Sequence, residues 1–331
     1  MSSRVEGKKK WGRATGRELA RKIASKYAIV LILALLIILF SLLRPGTFFT
    51  VTSAQSILAN QAVLVVLALG LTVALSAGEF DLSVASVVGL SASMLAYLTA
   101  VQGWPLAAGL AAALLASALV GFVNGLFVVR FGVNSFITTL GSGTLITGVA
   151  TGVAGPTTIG GVPSSLTTPA RESFLGVSLM AYAAFLVALI LWFVLEHTVA
   201  GRHTLFTGMS RESSRLSGIP VDRVRWLSLV ASATLAGLSG VILLSQVGAA
   251  DPTYGAPFLL PAFAAAFLGA TTIKRGRYNA WGTVVGVFLL ATGTTGLLML
   301  GASNWVSDVF NGGALMIAVA FAVFASRSAD R

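Results

Sequence analysis

The stretch Gly78-Glu79-Phe80-Asp81-Leu82-Ser83-Val84-Ala85-Ser86 places two carboxylates between long apolar segments of the chain. LTVALSA precedes it and VVGLSASMLAYL follows it. Gly78 suits the C′ position of a helix, where glycine adopts the left-handed conformation at little cost. Asp81 suits the N-cap of the next helix, because a carboxylate there accepts free amide hydrogens. The stretch therefore predicts a polar break between two apolar helices.

The apolar character extends along the whole chain. Of its 331 residues, 56% are hydrophobic and only 10% are charged, whereas a soluble domain carries about 25% charged residues. This composition indicates a polytopic membrane protein whose spanning elements are helices. The chain contains no cysteine, which excludes disulfides and thiolate metal sites.

Ten apolar runs approach or reach the length of about 17–25 residues that a helix needs to cross a bilayer. The predicted fold class is therefore all-α, with about ten transmembrane helices. Spans 2–5 and 7–10 form two groups of four with opposite orientation, an inverted-repeat plan that recurs among transporters. The eighth run is short, so a tilted, broken or re-entrant segment fits it. The runs are 27–43, 56–77, 82–101, 105–129, 135–153, 176–195, 226–247, 258–272, 279–300 and 305–325.

The net charge of +11 is distributed as in a membrane protein and not as in one that binds nucleic acid. With residues 1–26 inside, 20 of the 22 Lys and Arg residues fall on cytoplasmic segments, and only Arg44 and Arg171 fall outside. This asymmetry follows the positive-inside rule. It predicts a basic cytoplasmic tail (1–26) held at the lipid surface, a transmembrane domain (27–326) and a cytoplasmic C-terminus (327–331).

Two long loops connect the predicted spans. The external loop, 154–175, is rich in Gly, Pro, Ser and Thr, and either an ordered cap with a short surface helix or a plain linker fits its turn chemistry. The internal loop, 196–225, is the sizeable polar segment on the cytoplasmic face besides the tail. A soluble partner is therefore expected to dock on the internal loop.

Within the internal loop, the sequence predicts a short amphipathic helix between Gly208 and Gly218. The two glycines would let the backbone turn sharply at both ends of the helix. Glu212 and Arg215 are three residues apart and would share one helix face. An ordinary solvated connection is the alternative, since charged loops often are just that.

Asp81 has a predicted role as a helix cap, whereas no such role is predicted for Glu79. A carboxylate at a break in the membrane is by default a functional-site hypothesis, and it needs a polar partner. The sequence leaves that partner open between the cations of the internal loop and the amide side chains of Asn60, Gln61, Asn124 and Asn134.

Motifs for bond chemistry are missing from the sequence. There is no G-x-x-x-x-G-K-[ST] phosphate loop, so the chain is not expected to bind ATP by that mechanism. The two histidines, His197 and His203, lie in the internal loop, and no H-E-x-x-H occurs. A membrane-embedded enzyme is therefore the least supported class, and no cofactor or metal is expected in this chain.

Four segments, taken in order, resemble the ribose-type permease subunits of bacterial ABC sugar importers. GEFDLSVAS resembles the family's G-G-x-D-L-S-V-G-S stretch, and GFVNGLFVVRFGVNSFITTLGSGTLITGV resembles its N-G-x-x-V…P-x-F-I-x-T-L-G block. GRHTLFTGMSRESSRLSGIPVDRVR resembles the segment that contacts the ATPase. DPTYG with LPAFAAAFLGATT resembles the Q-P-x-x-G and A-A-x-x-x-G-G-T run. Together the matches cover most of residues 50–325.

The chain departs from the family pattern at several positions, which leave the transporter class intact and the particular sugar open. Asp251 stands where Gln is usual, and Ser213-Ser214 replace two alanines. The remaining departures are Leu259 and Pro261, where the sugar branch often has Glu and Asp, and Asn134-Ser135, which replaces a Pro-containing pair.

The resemblance implies the permease subunit of an importer in the bacterial cytoplasmic membrane, which moves a monosaccharide or related polyol and catalyses no bond chemistry. ATP and Mg²⁺ would be bound by separate ATPase subunits, a periplasmic or lipid-anchored binding protein would deliver the substrate, and a second permease, identical or paralogous, would pair with this one. It implies a coupling loop with Gly208, Arg211, Glu212, Arg215 and Gly218, and candidate pathway or gate residues Glu79, Asp81, Asn60, Gln61, Asn124, Asn134, Asp251 and Thr253.

Two other transporter classes stay open at this point. A permease of the same architecture would carry nucleosides or branched-chain amino acids. A proton- or sodium-coupled secondary transporter would use Glu79 and Asp251 as coupling sites and would work without an ATPase.

Overall fold

The computed structural model describes residues 27–329 except Pro156 and Arg275. The predicted basic tail, 1–26, lies outside the described residues. Within them the chain forms fourteen α-helices and one two-stranded hairpin. The helices are α1 (Ala28–Leu43), α2 (Val51–Asn60), α3 (Ala62–Ser76), α4 (Val84–Ala96), α5 (Leu106–Gly125), α6 (Ser135–Ala154), α7 (Ser164–Arg171), α8 (Leu179–His197), α9 (Val199–Met209), α10 (Arg211–Leu216), α11 (Val221–Val247), α12 (Leu259–Ala270), α13 (Ala280–Met299) and α14 (Trp305–Ala329).

Shorter elements complete the helical framework. Tyr97–Val101 and Leu126–Arg130 continue α4 and α5 as π-helical turns, and Ala256–Phe258 is a 3-10 turn that leads into α12. The hairpin pairs β1 (Ser173–Phe174) with β2 (Val177–Ser178) in antiparallel fashion.

The helices agree with an all-α polytopic membrane protein. In the described part of the chain, five helices are long and apolar enough to span a bilayer, and α2 with α3 make a sixth candidate bent by 43°. The first, eighth and tenth predicted runs contain shorter apolar helices, Ala28–Leu43, Ala256–Ala270 and Trp305–Ala320. Ten crossings and an inverted repeat therefore stay predictions. The five are Val84–Val101, Leu106–Arg130, Leu179–His197, Val221–Val247 and Ala280–Met299.

The second predicted span is a bent pair of helices. The chain bends at Gln61, which separates α2 from α3. The side chain of Gln246 on α11 donates a hydrogen bond to the carbonyl of Ala59 at 2.9 Å. A polar side chain that satisfies a helix carbonyl from outside is a recognised cause of a kink, and the 56–77 hydropathy pattern does not reveal it.

The core of the bundle is α3, since all of its residues are buried. Its sequence is apolar on every face, as expected of a helix surrounded by other helices. It packs against α8, α11, α12 and α13. Its polar residue Thr72 shares a hydrogen bond with Thr283 on α13 at 2.8 Å, so the hydroxyl is not left unpaired.

Two glycines allow the DPTYG segment to lie directly against α4. A Cβ on Gly89 would lie 1.9 Å from the carbonyl O of Pro252, and one on Gly255 would lie 1.9 Å from the carbonyl O of Ala85. Only the missing side chains permit this approach, because backbone atoms cannot retreat as flexible side chains can. The packing joins two of the four family-like segments, GEFDLSVAS and DPTYG.

We expect Gly89→Ala to destabilise the protein by about 1–3 kcal/mol, the usual cost of overpacking a close contact. The matched control is Gly148→Ala, a helical glycine on α6 with no atom within 4 Å of a new Cβ. Thermal unfolding in detergent compares the two variants. An equal midpoint for both would contradict this packing.

The sequence allows two forms for the 154–175 loop, and the loop takes the ordered one. It contains α7, and Ile159 pairs with Ala250 through two backbone hydrogen bonds of 2.9 and 3.0 Å. Leu166 on α7 is buried in a small cluster with α4 and α5 residues. The loop is therefore anchored to the bundle by both backbone pairing and apolar burial.

Candidate coupling junction

The break between α3 and α4 has the backbone form that its sequence predicts. Gly78 has φ +77°, so it is left-handed as expected after a helix end. The amides of Gly78 and Glu79 donate to the carbonyls of Leu75 and Ala74, each at 3.0 Å. These bonds satisfy carbonyls at the end of α3 and direct the chain sideways into Glu79.

Glu79 is almost fully buried, with 1% of its side chain exposed, and two arginines share its Oε1 atom. Arg211 of α10 donates from Nη2 at 2.7 Å, and Arg225 of α11 donates from Nε. Arg211 also donates to the carbonyl of Gly78 at 3.2 Å. A buried carboxylate needs such partners, because an unpaired charge there costs several kcal/mol. Glu79 therefore ties the break to the polar segment between α9 and α11.

Of the partners that the sequence left open, the structure selects the loop cations and not the amides. Asn124 donates from Nδ2 to Ser83 Oγ at 3.0 Å, and Asn134 accepts the amide of Phe136 at 2.9 Å as the N-cap of α6. Asn60 and Gln61 line a separate cavity of about 330 Å³ beside α2. Asn124 and Asn134 thus lie around the junction without bonding to Glu79, and Asn60 and Gln61 lie away from it.

Asp81 is fully buried but is not the N-cap of α4, which corrects the prediction. Helix α4 begins at Val84 with Ser83 at the N-cap, and Asp81 Oδ1 accepts both the amide and the hydroxyl of Ser83. The carboxylate therefore organises the turn that enters the helix. Burial raises the pKa of the Asp81 carboxyl, and hydrogen bonding from Ser83 opposes the shift.

We expect Asp81→Asn to have only a mild effect on the stability of the protein. The amide oxygen keeps both bonds from Ser83, and the buried side chain loses a charge that no cation in the described residues offsets. Asp81→Ala removes the acceptor and is expected to cost about 1–3 kcal/mol, as for any buried donor left unpaired. Unfolding midpoints of the two variants check this, and a larger loss for Asn than for Ala would contradict it.

The first turn of α6 supplies the acceptors for the extended backbone of the break. The amide of Phe80 donates to Ser135 Oγ at 3.1 Å, and the amide of Leu82 donates to Thr139 Oγ1 at 3.0 Å. Buried amides need partners of this kind, and the i, i+4 spacing of the two hydroxyls places both on one face of the helix. Sequence reasoning missed these two residues, although both stand in the family-like block SFITTLG.

Three aromatic rings meet at the same place. The ring of Phe80 lies 6.4 Å from those of Phe136 on α6 and Phe263 on α12. Phe80 remains 39% exposed. The cluster was also missed, because single phenylalanines in an apolar sequence carry no signal of their own.

The predicted short helix between α9 and α11 is present as α10. Ser210 caps it by accepting the amide of Ser213 at 3.3 Å, and Gly218 turns the chain with φ +78°, as predicted. Met209, the last residue of α9, and Leu216, the last residue of α10, are 62% and 83% exposed. Apolar side chains therefore point outward on both sides of this polar helix.

One detail of this segment differs from the prediction, and a second was not predicted. Gly208 is helical and lies inside α9; a Cβ there would be 2.2 Å from the carbonyl O of Ser76, so glycine is needed for close packing and not for a turn. Arg215 pairs with Asp222 at 2.7 Å, whereas Glu212 has no ion pair among the described residues. The segment is thus pressed directly against the end of α3.

Asp251 and Thr253 form a local turn. Asp251 Oδ1 accepts the amide of Thr253 at 2.8 Å and its hydroxyl at 2.6 Å. These bonds hold the pKa of the Asp251 carboxyl below its usual value. Among the described residues, these side-chain contacts of Asp251 stay within the turn and do not reach Glu79.

The family comparison covers the whole of this arrangement. Residues 53–320 match the model of the family described as branched-chain amino acid transport system / permease component. The chain belongs to this family. It is a multi-pass membrane permease of a transport system, as its apolar helices also indicate.

Two relatives of the permease carry the name of the same import system. It is 32% identical to the autoinducer 2 import system permease protein LsrD of Photorhabdus luminescens, over 77% of this chain and 78% of that protein. It is 30% identical, with the same coverage, to the protein of that name from Yersinia pestis (strain Pestoides F). No solved structure matches the permease.

Proposed function

We propose that the permease is the membrane subunit of an ATP-binding-cassette importer that translocates a monosaccharide or related polyol. The four family-like segments support the sugar branch, and the two relatives are named for import of autoinducer 2 and not of an amino acid. The observation that carries the proposal is the junction, where Glu79 joins the break before α4 to Arg211 and Arg225.

The geometry suggests how an ATPase would act on the pathway. Closure of the ATPases would push on the exposed apolar side chains beside α10 and so move the helix. Arg211 would pass that displacement to Glu79, which Arg225 also holds at the base of α11. Phe80, the next residue, would then shift against Phe136 and Phe263 and change the opening of the pathway.

Partner proteins would carry out ATP hydrolysis and substrate delivery. ATP and Mg²⁺ would be bound by separate ATPase subunits, which dock on α10. A substrate-binding protein would deliver the substrate from the opposite side of the membrane, and a second permease, identical or paralogous, would complete the pathway. The permease itself would bind and release substrate without making or breaking a bond.

The alternative of an ion-coupled secondary transporter has less support. Glu79 already accepts from two guanidinium groups, and Asp251 Oδ1 is engaged by Thr253. A coupling site needs a carboxylate that exchanges a proton or cation during transport, and these contacts oppose that exchange.

Reconstitution with the ATPase and binding protein tests the proposed class. Uptake of radiolabelled substrate into proteoliposomes is expected to require ATP on the ATPase side and to persist when ionophores abolish proton and sodium gradients. Uptake that needs a gradient and no ATP would overturn the proposal and restore the secondary transporter.

We also expect both termini to be cytoplasmic and α7 to be external, because of the distribution of cations. The chain is cysteine-free, so Ser164→Cys at the start of α7 gives a single labelling site. A membrane-impermeant maleimide should label it from outside intact cells. Labelling only after the cytoplasmic face is opened would reverse the topology.

A further inference from the structure

A basic pocket lies between the ends of α8, α9 and α13, apart from the aromatic cluster of the junction. Its volume is about 150 Å³. Cationic side chains come from α9 and from the connection between α12 and α13, so the pocket is formed by segments distant in sequence. Its polar lining includes Glu196, Arg202, Lys274, Arg277, Tyr278 and Asn279.

The pocket has an excess of positive charge. Lys274 Nζ pairs with Glu196 Oε2 at 2.9 Å, which neutralises one of the three cations. Arg202 and Arg277 are exposed and have no ion pair in the described part of the chain. Two free guanidinium groups at one pocket suit a phosphate group, because arginine donates paired hydrogen bonds to its oxygens.

A separate apolar crevice lies farther along α8 and α13, away from the helix ends that form this pocket. It has a volume of about 90 Å³, and its lining includes Phe185 and Ala188 from α8 and Val284 and Phe288 from α13. The two helices pack against each other. An acyl chain is an elongated apolar group of the kind that such a crevice between helices accepts.

Two tryptophans lie along α8 and α13 between the pocket residues and the crevice residues. The ring of Trp281 lies 5.5 Å from that of Phe185 and 6.4 Å from that of Trp192, and Trp192 donates to Glu196 at 3.0 Å. Tryptophan concentrates where lipid head groups meet the hydrocarbon region. This places the basic pocket at head-group depth and the crevice at acyl-chain depth.

We propose that the permease holds an anionic phospholipid at this site. Its phosphate contacts Arg202 and Arg277, and one acyl chain lies along the crevice between α8 and α13. Ser76 also lines the pocket, and its carbonyl is the group that approaches Gly208. The bound lipid therefore supports the end of α3 against which α9 packs.

Native mass spectrometry of the purified full-length permease, titrated with phosphatidylglycerol, tests the proposal. The double variant Arg202→Gln, Arg277→Gln should bind this lipid roughly thirtyfold more weakly, given the attraction that each cation near a lipid surface supplies. Arg130→Gln, Arg223→Gln is the matched control, since these two arginines line a different crevice, beside α5 and α11. It should change binding less than about threefold. Size-exclusion profiles establish that both variants fold.

Two further probes distinguish a lipid from a free anion. Inorganic phosphate and deacylated glycerophosphoglycerol should bind at least about tenfold more weakly than intact lipid, because they lose the apolar contacts of the acyl chain. Val284→Trp, which narrows the crevice, should weaken binding of the intact lipid only. Three results would each overturn the proposal. Phosphate would bind as tightly as intact lipid, the Arg202→Gln, Arg277→Gln variant would bind lipid as tightly as the unmodified permease, or the control variant would lose as much lipid affinity as that variant.

Discussion

Glu79→Gln is expected to reduce ATP-driven uptake by at least about tenfold, a loss of ~1.4 kcal/mol or more in transport efficiency. The substitution removes the charge that Arg211 and Arg225 share and leaves two guanidinium groups facing a neutral amide. Losing one member of a buried pair costs about 3–5 kcal/mol. Glutamine keeps an acceptor oxygen, and Arg211 is 48% exposed to water. The cost in folding free energy is therefore expected to fall below this range and below the loss in transport efficiency.

Glu172→Gln is the matched control for Glu79→Gln. Glu172 follows the last residue of α7, is exposed and forms no ion pair among the described residues. Proteoliposome uptake and the unfolding midpoint should both stay near the values of the unmodified permease.

A double-mutant cycle with Arg225→Gln measures the interaction itself, since contacting residues show a coupling free energy that distant ones lack. The combined variant should lose less than the sum of the two single losses. Strict additivity, or normal uptake by Glu79→Gln, would show that the ion pairs do not transmit the motion.

Gly208→Ala is expected to abolish the stimulation of ATP hydrolysis by substrate-loaded binding protein. Its new Cβ would meet the carbonyl O of Ser76 at 2.2 Å, so α9 must move away from α3. The displaced segment would carry α10 out of register with the ATPase and strain the Arg211–Glu79 contact. ATPase assays of the complex in lipid discs give the readout.

Gly141→Ala controls for the general effect of adding a methyl group to a helical glycine. Nothing lies within 4 Å of a Cβ at Gly141, so stimulation should be retained. Gly218→Val adds a second disruption of the same segment, because a left-handed φ of +78° costs a non-glycine residue about 1–2 kcal/mol. It should also lose stimulation while the permease stays inserted. Full stimulation of ATP hydrolysis in both the Gly208 and the Gly218 variants would show that the segment is a passive connection.

Local features of the junction were predictable because they depend on neighbours in sequence. The left-handed Gly78, the short helix α10 and the turn at Gly218 follow from turn and capping preferences that act over a few residues. The same preferences were wrong about Gly208, since a glycine required for close packing looks the same in a sequence as one required for a turn.

The composition and order of segments by themselves determined that the chain is a helical membrane protein and that a polar break follows its second apolar run. Hydropathy and charge distribution carry that information because the bilayer acts on each segment separately. Only the tertiary structure decided that Arg225, 146 residues away, pairs with Glu79, and that Ser135 and Thr139 satisfy the amides of the break. Several cations and hydroxyls in the sequence have the right chemistry for these contacts. The packing of helices selects among them, because it sets which groups are close enough to bond.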